Sequence, residues 1–376
     1  HINEENRNRQ EIEAEILREV EELLAHEPQR RYDRVLVMEG EGWHHGVIGI
    51  VASRVVERYG KPCIMIGTLG EEARGSGRSI PGFSLYDAIF HCREYLTRFG
   101  GHPMAAGLSM ETSQIPAFRE AVNRYAAQRE GGMPAPVLNL DCKLNPSALS
   151  VDLVEQLEAL EPFGSGNPTP LFGLYRMTLA DVSPVGGGKH LRLSLRRAGT
   201  QLTAMRFSTR LEEFPYTPGD VLDLAVTLEK SEYRGATELA VYVRDIKLSD
   251  LPVEELLQDK ALYESIKRGE PLPAPIMDRI TPNREEFAVV YRFLRSHQGW
   301  RYGLDVLYSR LSDSRIGYGK LALILDIMEE LKLIFLNING EQYDVKMCRV
   351  QGKVNLTDST LLQQLMEQRE GGRQDA

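Results

Sequence analysis

The sequence predicts a multidomain protein that combines an α/β domain, a small β-barrel and an α-rich C-terminal region. Strand and helix patterns alternate up to about residue 130, strand patterns dominate over 137–248, and helical patterns return after residue 284. The chain has 376 residues, enough for two or three domains. A glycine- and proline-rich run at 131–136 marks the clearest linker between them.

Composition excludes several classes of protein. The formal net charge is −9, so the chain as a whole is not a basic protein that coats nucleic acid, although one domain could carry a basic face. No apolar run approaches the ~20 residues that span a bilayer, and the first 30 residues lack the apolar core of a signal peptide. The four cysteines lie far apart and form no CxxC pair, which is typical of reduced thiols. We therefore expect a cytoplasmic protein.

The N-terminal segment 1–28 predicts a connecting helix. Apolar residues recur at helical spacing over 3–25, with glutamate and arginine between them. Because the chain opens on this helix with no strand before it, we expect the helix to connect the following domain to a preceding one.

Residues 29–132 predict the α/β domain. Short apolar strands at 35–38 and 63–66 flank a helix, and this alternation is typical of a layered α/β fold. Ser84 predicts the N-cap of a further helix that continues to the residue before Gly100.

An anion-binding segment is indicated by the run Ala73-Arg74-Gly75-Ser76-Gly77-Arg78-Ser79. Guanidinium groups can grip a phosphate through two hydrogen bonds, the hydroxyls can donate, and glycine lets a ligand approach the backbone closely. The alternative interpretation is a flexible surface turn, which uses the same residue types.

A tight backbone passage with one projecting polar side chain is indicated by Gly100-Gly101-His102-Pro103-Met104-Ala105-Ala106-Gly107. His102 could hydrogen-bond a phosphate oxygen or a hydrolytic water. The alternative is a structural histidine at the C-terminus of a helix.

Two adjacent histidines, His44 and His45, follow Trp43. Consecutive side chains rarely converge on one ion, and no aspartate or cysteine lies at ligand spacing, so no metal site is predicted here. We expect one of the pair, His45, to line a substrate loop.

Residues 137–249 predict a small β-barrel with one helix. Within 182–211 there are six basic and no acidic side chains, which could form a groove for a phosphate backbone or merely a solvated strand face. The loop at 161–172 contains Phe163, which could stack on a base or pack in the core.

Residues 250–376 predict a C-terminal accessory domain. A proline- and glycine-rich stretch at 250–282 indicates a loose connection. Three helical patterns and a hairpin around Asn339-Gly340 follow, which together are typical of a winged-helix module that binds DNA or protein.

Taken in order, these segments resemble the RecJ family of bacterial single-strand-specific 5′→3′ DNA exonucleases, in the DHH phosphoesterase superfamily. The resemblance covers residues 3 to about 248 and implies a DHH-associated domain at 29–132 and an OB fold at 137–249. The family holds its metals through aspartates and an Asp-His-His triplet, which does not occur in this sequence. The resemblance therefore implies the C-terminal part of such an enzyme, without its N-terminal DHH domain. The segments that carry it are 3–10, 42–52, 74–79, 100–107, 161–168 and His190-Leu191-Arg192.

The resemblance also implies a reaction and a division of roles. The family hydrolyses phosphodiester bonds in DNA repair and recombination, with two Mn²⁺ or Mg²⁺ ions that the missing domain would hold. Ser76 and Arg78 would bind the phosphate at the 5′ end, and His102, with Gly100 and Gly101, would support catalysis at the scissile phosphate. This chain alone is expected to bind single-stranded DNA without hydrolysing it, and a single-strand binding protein or a helicase is the expected partner. The other residues expected to contact substrate are His45, Arg74, Ser79, Phe163, Lys189, Arg192, Arg196 and Arg206.

Three alternatives remain open at this point. A DHH-type phosphodiesterase of short oligonucleotides or cyclic dinucleotides would share the loops at 74–79 and 100–107 but would not need the barrel. A non-catalytic module that binds single-stranded DNA or protein would use the barrel and the winged-helix region alone. A relative of the alanyl-tRNA editing proteins would need histidine and cysteine ligand patterns that the sequence lacks.

Overall fold

The chain folds into two compact units. The first contains His1–Val137 and Ala261–Pro273, and the second contains Leu138–Lys260 and Ala274–Ala376. No helix in the portion described is both long and apolar enough to cross a membrane. The computed structural model describes residues 2–233, 235–311, 313–349, 352 and 354–374.

The first unit is built around a five-stranded mixed sheet with the strand order β1-β2-β3-β5-β4. Strands β1 and β2 are parallel and are joined through helix α2, as parallel neighbours require; the other pairs are antiparallel. In chain order its elements are α1 (Ile2–His26), β1 (Leu36–Glu41), α2 (Ile48–Tyr59), β2 (Cys63–Leu69), β3 (Glu72–Arg78), α3 (Leu85–His91), β4 (Arg98–His102), β5 (Ala105–Glu111) and α4 (Ile115–Ala127).

The two faces of this sheet are covered unequally. On one face, α3 and α4 bury an apolar layer to which all five strands contribute. On the other face, α1 and α2 bury a second layer, which includes Leu24, Val51 and Met65 and draws only on β1 and β2 among the strands. The second face of β3, β5 and β4 therefore lacks an apolar cover, and its side chains are half-buried or exposed.

Helix α3 is much shorter than the sequence predicted. Ser84 caps it as expected, since its hydroxyl accepts a hydrogen bond from the Asp87 amide at 3.3 Å. The prediction that this helix continues to Phe99 is wrong, because the backbone of 98–102 pairs with β5 and forms the edge strand β4. Phe99 packs on the apolar layer under α3, so tertiary contacts outweigh the local helical pattern. Gly100 accordingly lies in a strand and not at the end of a helix.

The segment Ala261–Pro273, termed the return segment, packs on the first unit although the barrel precedes it in sequence. Arg34 donates two hydrogen bonds to the Glu270 carboxylate, at 2.6 and 3.0 Å. Arg268 donates to the backbone carbonyl of Tyr32 at 2.9 Å and to Glu270. Burial disfavours the ionised form of Glu270, but hydrogen bonds from Arg34, Arg268 and Ser265 outweigh it and lower the pKa of Glu270 to about 2.

Glu270→Gln is expected to destabilise the first unit by about 2 kcal/mol at neutral pH, because charge-assisted hydrogen bonds are lost. The folded pKa lies below the ordinary value of 4.5, so this stabilisation is present above about pH 4.5 and is lost as the pH falls toward 2. Urea unfolding of both proteins across that range should show the difference shrinking. Glu120→Gln, an exposed change on α4, serves as the control. A difference that stays constant down to pH 2 would contradict this account.

The second unit contains a closed barrel of five strands, β7, β8, β9, β11 and β10, which is sealed by pairing of β10 with β7. Strands β9 and β11 are parallel where they meet, and β6 adds to the side of β7. Apolar side chains of all five strands fill the interior. The predicted small β-barrel is therefore confirmed. Its elements are β6 (Cys142–Lys143), α5 (Val151–Leu157), β7 (Phe172–Val185), β8 (His190–Arg197), β9 (Thr200–Arg206), β10 (Val221–Tyr233) and β11 (Ala236–Leu248).

The remaining elements form an α-rich C-terminal region, and the three helices and the hairpin predicted between residues 284 and 347 are confirmed within it. The expectation of a loose connection at 250–282 is wrong, because two helices lie there. The prolines at 271 and 273 fall between these helices and Pro275 lies in the first turn of the second, where proline is tolerated. The elements are α6 (Val253–Lys267), α7 (Ala274–Ile280), α8 (Arg284–Ser296), α9 (Leu304–Leu311), α10 (Tyr318–Glu330), β12 (Ile334–Asn339), β13 (Gln342–Met347) and α11 (Thr360–Gln374).

Candidate functional site

The register of three antiparallel strands brings two of the sequence motifs onto one surface. Residues that pair across β3, β5 and β4 point to the same side of the sheet, and every second residue along a strand repeats that side. This surface, termed the open face, is the one that lacks an apolar cover. Three rows cross all three strands: Arg74, Ser109 and Arg98; Ser76, Gly107 and Gly100; and Arg78, Ala105 and His102. A fourth row, on β3 and β5 alone, pairs Glu72 with Glu111 beside Arg74 and Ser109.

Arg78 and Ser76 lie against the first turn of α2. A Cβ atom placed on Gly49 would lie 2.9 Å from Arg78 Nη2 and 3.0 Å from Ser76 Oγ, so glycine leaves the space that these side chains use. Arg78 Nη1 donates to Ser76 Oγ at 3.2 Å and to the Gly77 carbonyl at 2.9 Å. No carboxylate pairs with Arg78 in the residues that the structure describes. A guanidinium, a hydroxyl and a helix N-terminus therefore converge, which is a chemistry suited to a phosphate.

The middle row of the open face is nearly free of side chains. A Cβ atom on Gly100 would meet no atom within 4 Å, and one on Gly107 would only touch the Gly75 carbonyl oxygen at 3.8 Å. Neither residue has a positive φ, so the fold itself does not demand glycine at either position. Their bare backbone allows a ligand to approach the sheet closely.

The other predicted residues of this domain lie in different settings. His102 is exposed on the edge strand, across Ala105 from Arg78. Arg74 is exposed, and its Nη2 lies 3.7 Å from a carboxylate oxygen of Glu72. Ser79 is buried and donates its hydroxyl to the Phe83 carbonyl at 2.7 Å, an internal hydrogen bond that occupies its donor.

The loop that contains His44 and His45 is anchored by Trp43. Its indole nitrogen donates to Glu19 at 2.6 Å, and its ring and backbone fill the space above Gly40 and Gly67, which pair across β1 and β2. The rings of the two histidines that follow, including His45, are exposed and stack on each other with centroids 5.0 Å apart. In the described ranges no group of three or more histidine, cysteine, aspartate or glutamate side chains could hold a metal ion. The side chains of these ranges therefore do not supply a donor set for Mn²⁺ or Mg²⁺.

The basic run on the barrel does not act as one surface. Arg192 and Arg196 alternate with buried leucines on β8 and are exposed on the outside of the barrel, and Lys189 is exposed just before that strand. Arg206 instead donates to the backbone carbonyls of β11, at 3.1 Å for Val243. Phe163 is half-buried in its loop and lies outside the open face.

Sequence reasoning did not identify an aromatic cluster on the barrel. The ring of Phe207 is 46 % exposed and packs edge-on against His190, with centroids 4.9 Å apart. The ring centroid of Tyr242 lies 5.2 Å from that of Phe207. His190 lies on β8, Phe207 directly follows β9, and Tyr242 lies on β11. Only the pairing of Leu191 with Arg206 explains why His190 and Phe207 meet. An exposed aromatic ring beside basic residues is the arrangement on which unpaired bases stack.

Comparison with known proteins identifies both domains. Residues 33–128 match the DHHA1 domain, and residues 140–245 match the RecJ OB domain. The single-stranded-DNA-specific exonuclease RecJ of Bacillus subtilis is 26% identical over 357 residues, which cover 91% of this chain and 44% of that protein. The exonuclease of the same name from Thermus thermophilus is 34% identical over 194 residues, which cover 51% of this chain and 27% of the relative.

A solved structure agrees with these matches. The crystal structure of RecJ from Thermus thermophilus in complex with Mn²⁺ superposes with a TM-score of 0.52 and 29% identity, over 64% of this chain and 34% of that one. This chain spans less than half the length of the curated relatives it matches. The predicted order of domains, an α/β domain, then an OB fold and then a helical C-terminal region, is confirmed.

Proposed function

We propose that this chain, which carries a DHHA1 domain and a RecJ OB domain and resembles the C-terminal part of RecJ, binds single-stranded DNA for a 5′→3′ exonuclease. Binding and positioning of the strand belong to this chain, and a DHH domain with Mn²⁺ or Mg²⁺ carries out the hydrolysis. The enzyme works in the cytoplasm, in DNA repair and recombination.

The observation that carries this proposal is the uncompensated Arg78 guanidinium on the open face. An arginine without a carboxylate partner, beside the Ser76 hydroxyl and the first turn of α2, favours an anionic ligand. His102 lies on the same row, across Ala105, so a terminal phosphate held by Arg78 would place the next linkage toward His102. In this scheme Arg78 clamps the 5′ phosphate and stabilises negative charge, and His102 hydrogen-bonds the scissile phosphate.

The barrel is proposed to hold the strand beyond the cleavage site. Arg192 and Arg196 supply positive charge on its outer face, and Phe207 with its two aromatic neighbours supplies a stacking platform. A phosphodiesterase restricted to dinucleotides would have no use for either feature, which favours a long single strand as substrate.

The C-terminal region is proposed to bind a protein, such as a single-strand binding protein or a helicase. In a winged-helix reader of DNA the third helix would present basic side chains to the groove. Helix α10 contains one basic residue, Lys320, which is bound to Glu286 at 2.7 Å, and three acidic residues. Most of its remaining side chains are buried in the core of this region.

The test is binding of a 3′-labelled single-stranded oligonucleotide, with and without a 5′ phosphate, across a salt series. The wild-type chain is expected to prefer the 5′-phosphorylated strand. Arg78→Ala should weaken its binding by about 10- to 100-fold and abolish the preference, because a charge-assisted contact is lost. Arg93→Ala removes the same charge from outside the open face and should retain the preference.

Two outcomes would contradict this assignment. If the wild-type chain binds strands with and without a 5′ phosphate equally well, the open face does not bind the terminal phosphate, and only DNA binding by the barrel remains supported. Degradation of the oligonucleotide by the purified chain in the presence of Mn²⁺ would contradict the division of roles between binding and hydrolysis.

A further inference from the structure

We propose that the row Arg74, Ser109 and Arg98 forms a second anion subsite, which binds an internal phosphate of the strand whose 5′ phosphate Arg78 holds. This inference rests on the proposed function and extends it from one phosphate to two. It assigns roles to Arg98 and Ser109, which lie outside both sequence motifs.

The strand register places the three side chains together. Arg74 on β3 pairs with Ser109 on β5, which in turn pairs with Arg98 on β4. Neighbouring strands lie ~4.8 Å apart, so the two arginine Cα atoms flank Ser109 at a separation of about 10 Å. Both guanidinium groups can therefore reach an anion placed over the serine hydroxyl.

The charges of this row are not neutralised within the fold. Arg98 is exposed, and its guanidinium has no hydrogen bond or ion pair with any part of the chain that the structure describes. Arg74 has only the Glu72 carboxylate at 3.7 Å, with both side chains mostly exposed, and such surface pairs contribute little. Elsewhere in this unit Arg30, Arg34 and Arg119 all bind carboxylates. An unpaired Arg98, on one row with an Arg74 that is held only by a weak surface ion pair, favours an anionic ligand over a structural role.

The spacing of the rows defines what can bind. The first and third rows are four residues apart along β5, about 13 Å. The bare row between them, with Gly107 and Gly100, forms a floor on which an extended sugar–phosphate chain can lie. A mononucleotide reaches only one row, whereas a strand reaches both. The open face therefore selects for length as well as for a 5′ phosphate.

The test uses 5′-phosphorylated oligonucleotides in which one linkage at a time, counted from the 5′ end, is replaced by an uncharged methylphosphonate. In the wild-type chain, neutralising one linkage within the first few should weaken binding by about 5- to 30-fold, as expected for loss of one charged contact. Arg98→Ala should weaken binding of the unmodified strand to a similar degree and remove the sensitivity to that linkage. It should retain the preference for a 5′ phosphate, which Arg78 provides.

Arg93→Ala is the matched control, since it removes an arginine from the same domain outside the open face, where it lies over the Phe90 ring. Equal binding by wild type and Arg98→Ala, or an unchanged pattern of linkage sensitivity in Arg98→Ala, would overturn the second subsite. These results would leave the proposed function intact wherever the 5′-phosphate preference persists. If the wild-type chain shows no preference for a 5′ phosphate, the proposed function itself is contradicted.

Discussion

Gly101→Ala is expected to destabilise the first unit by about 2–5 kcal/mol, because both the backbone conformation and the space around it require glycine. Gly101 has a φ of 152°, which residues with a side chain rarely adopt. A Cβ atom there would lie 2.4 Å from the Ala105 carbonyl oxygen and 2.5 Å from the Ala106 Cα. The edge strand β4 would have to separate from β5, and His102 would move with β4. Urea unfolding of the variant measures the loss.

Gly100→Ala is the matched control for this prediction. Its Cβ would project from the open face into free space, so the fold should tolerate the change with a difference within about 0.5 kcal/mol. Its DNA binding should nevertheless weaken, because a methyl group would stand on the floor between Arg98 and His102. Equal stability of the two variants would contradict the account of Gly101. Unchanged binding by Gly100→Ala would contradict close approach of the strand to the sheet.

Trp43→Ala is expected to destabilise the same unit by about 3–5 kcal/mol, the usual loss when a large buried side chain is truncated. Trp43 is 8 % exposed, and its indole fills the space above Gly40. Its removal also leaves the Glu19 carboxylate without its donor at 2.6 Å. Because Trp43 anchors the loop that leads into α2, binding of 5′-phosphorylated DNA should weaken as well. Thermal unfolding and the binding assay measure the two effects.

His45→Ala is the control for Trp43→Ala, because it truncates an exposed side chain in the same loop and leaves the buried indole in place. The His45 side chain is exposed, so its removal should change the free energy of unfolding by no more than about 0.5 kcal/mol. A comparable loss of stability in Trp43→Ala and His45→Ala would show that the loop is not held by the indole.

The sequence predicted those parts of the fold that depend on local patterns. The strands around Val37 and Ile64 are uniformly apolar because both faces of the sheet are covered there, and such runs are visible without a structure. Arg98 and Phe99 fit the local helical pattern, because their strand pairing depends on β5, which lies several residues further along the chain. Local periodicity does not report such pairing.

The candidate site was predictable only where it is contiguous in sequence. The segments around Arg78 and His102 carry glycine-rich signatures, and pairing across β5 brings them onto one face. Arg98 and Ser109 have no such signature, since their relation to Arg74 exists only in the register of three strands. For the same reason, one basic run concealed two environments: Arg192 is exposed on a strand face, whereas the guanidinium of Arg206 is bound by carbonyl oxygens.

The return segment has a consequence for the order of events during synthesis. Residues 261–273 leave the ribosome more than a hundred residues after Val137, yet Glu270 and Arg268 complete the surface around Arg34 and Tyr32. Translation proceeds at roughly 5–20 residues per second, so the nascent sheet waits several seconds for these contacts. During that interval the surface around Arg34 and Tyr32 is incomplete, which invites non-native contacts or chaperone binding. The intervening barrel is therefore a long insertion between two parts of one folding unit, and its synthesis sets the earliest time at which that unit can be completed.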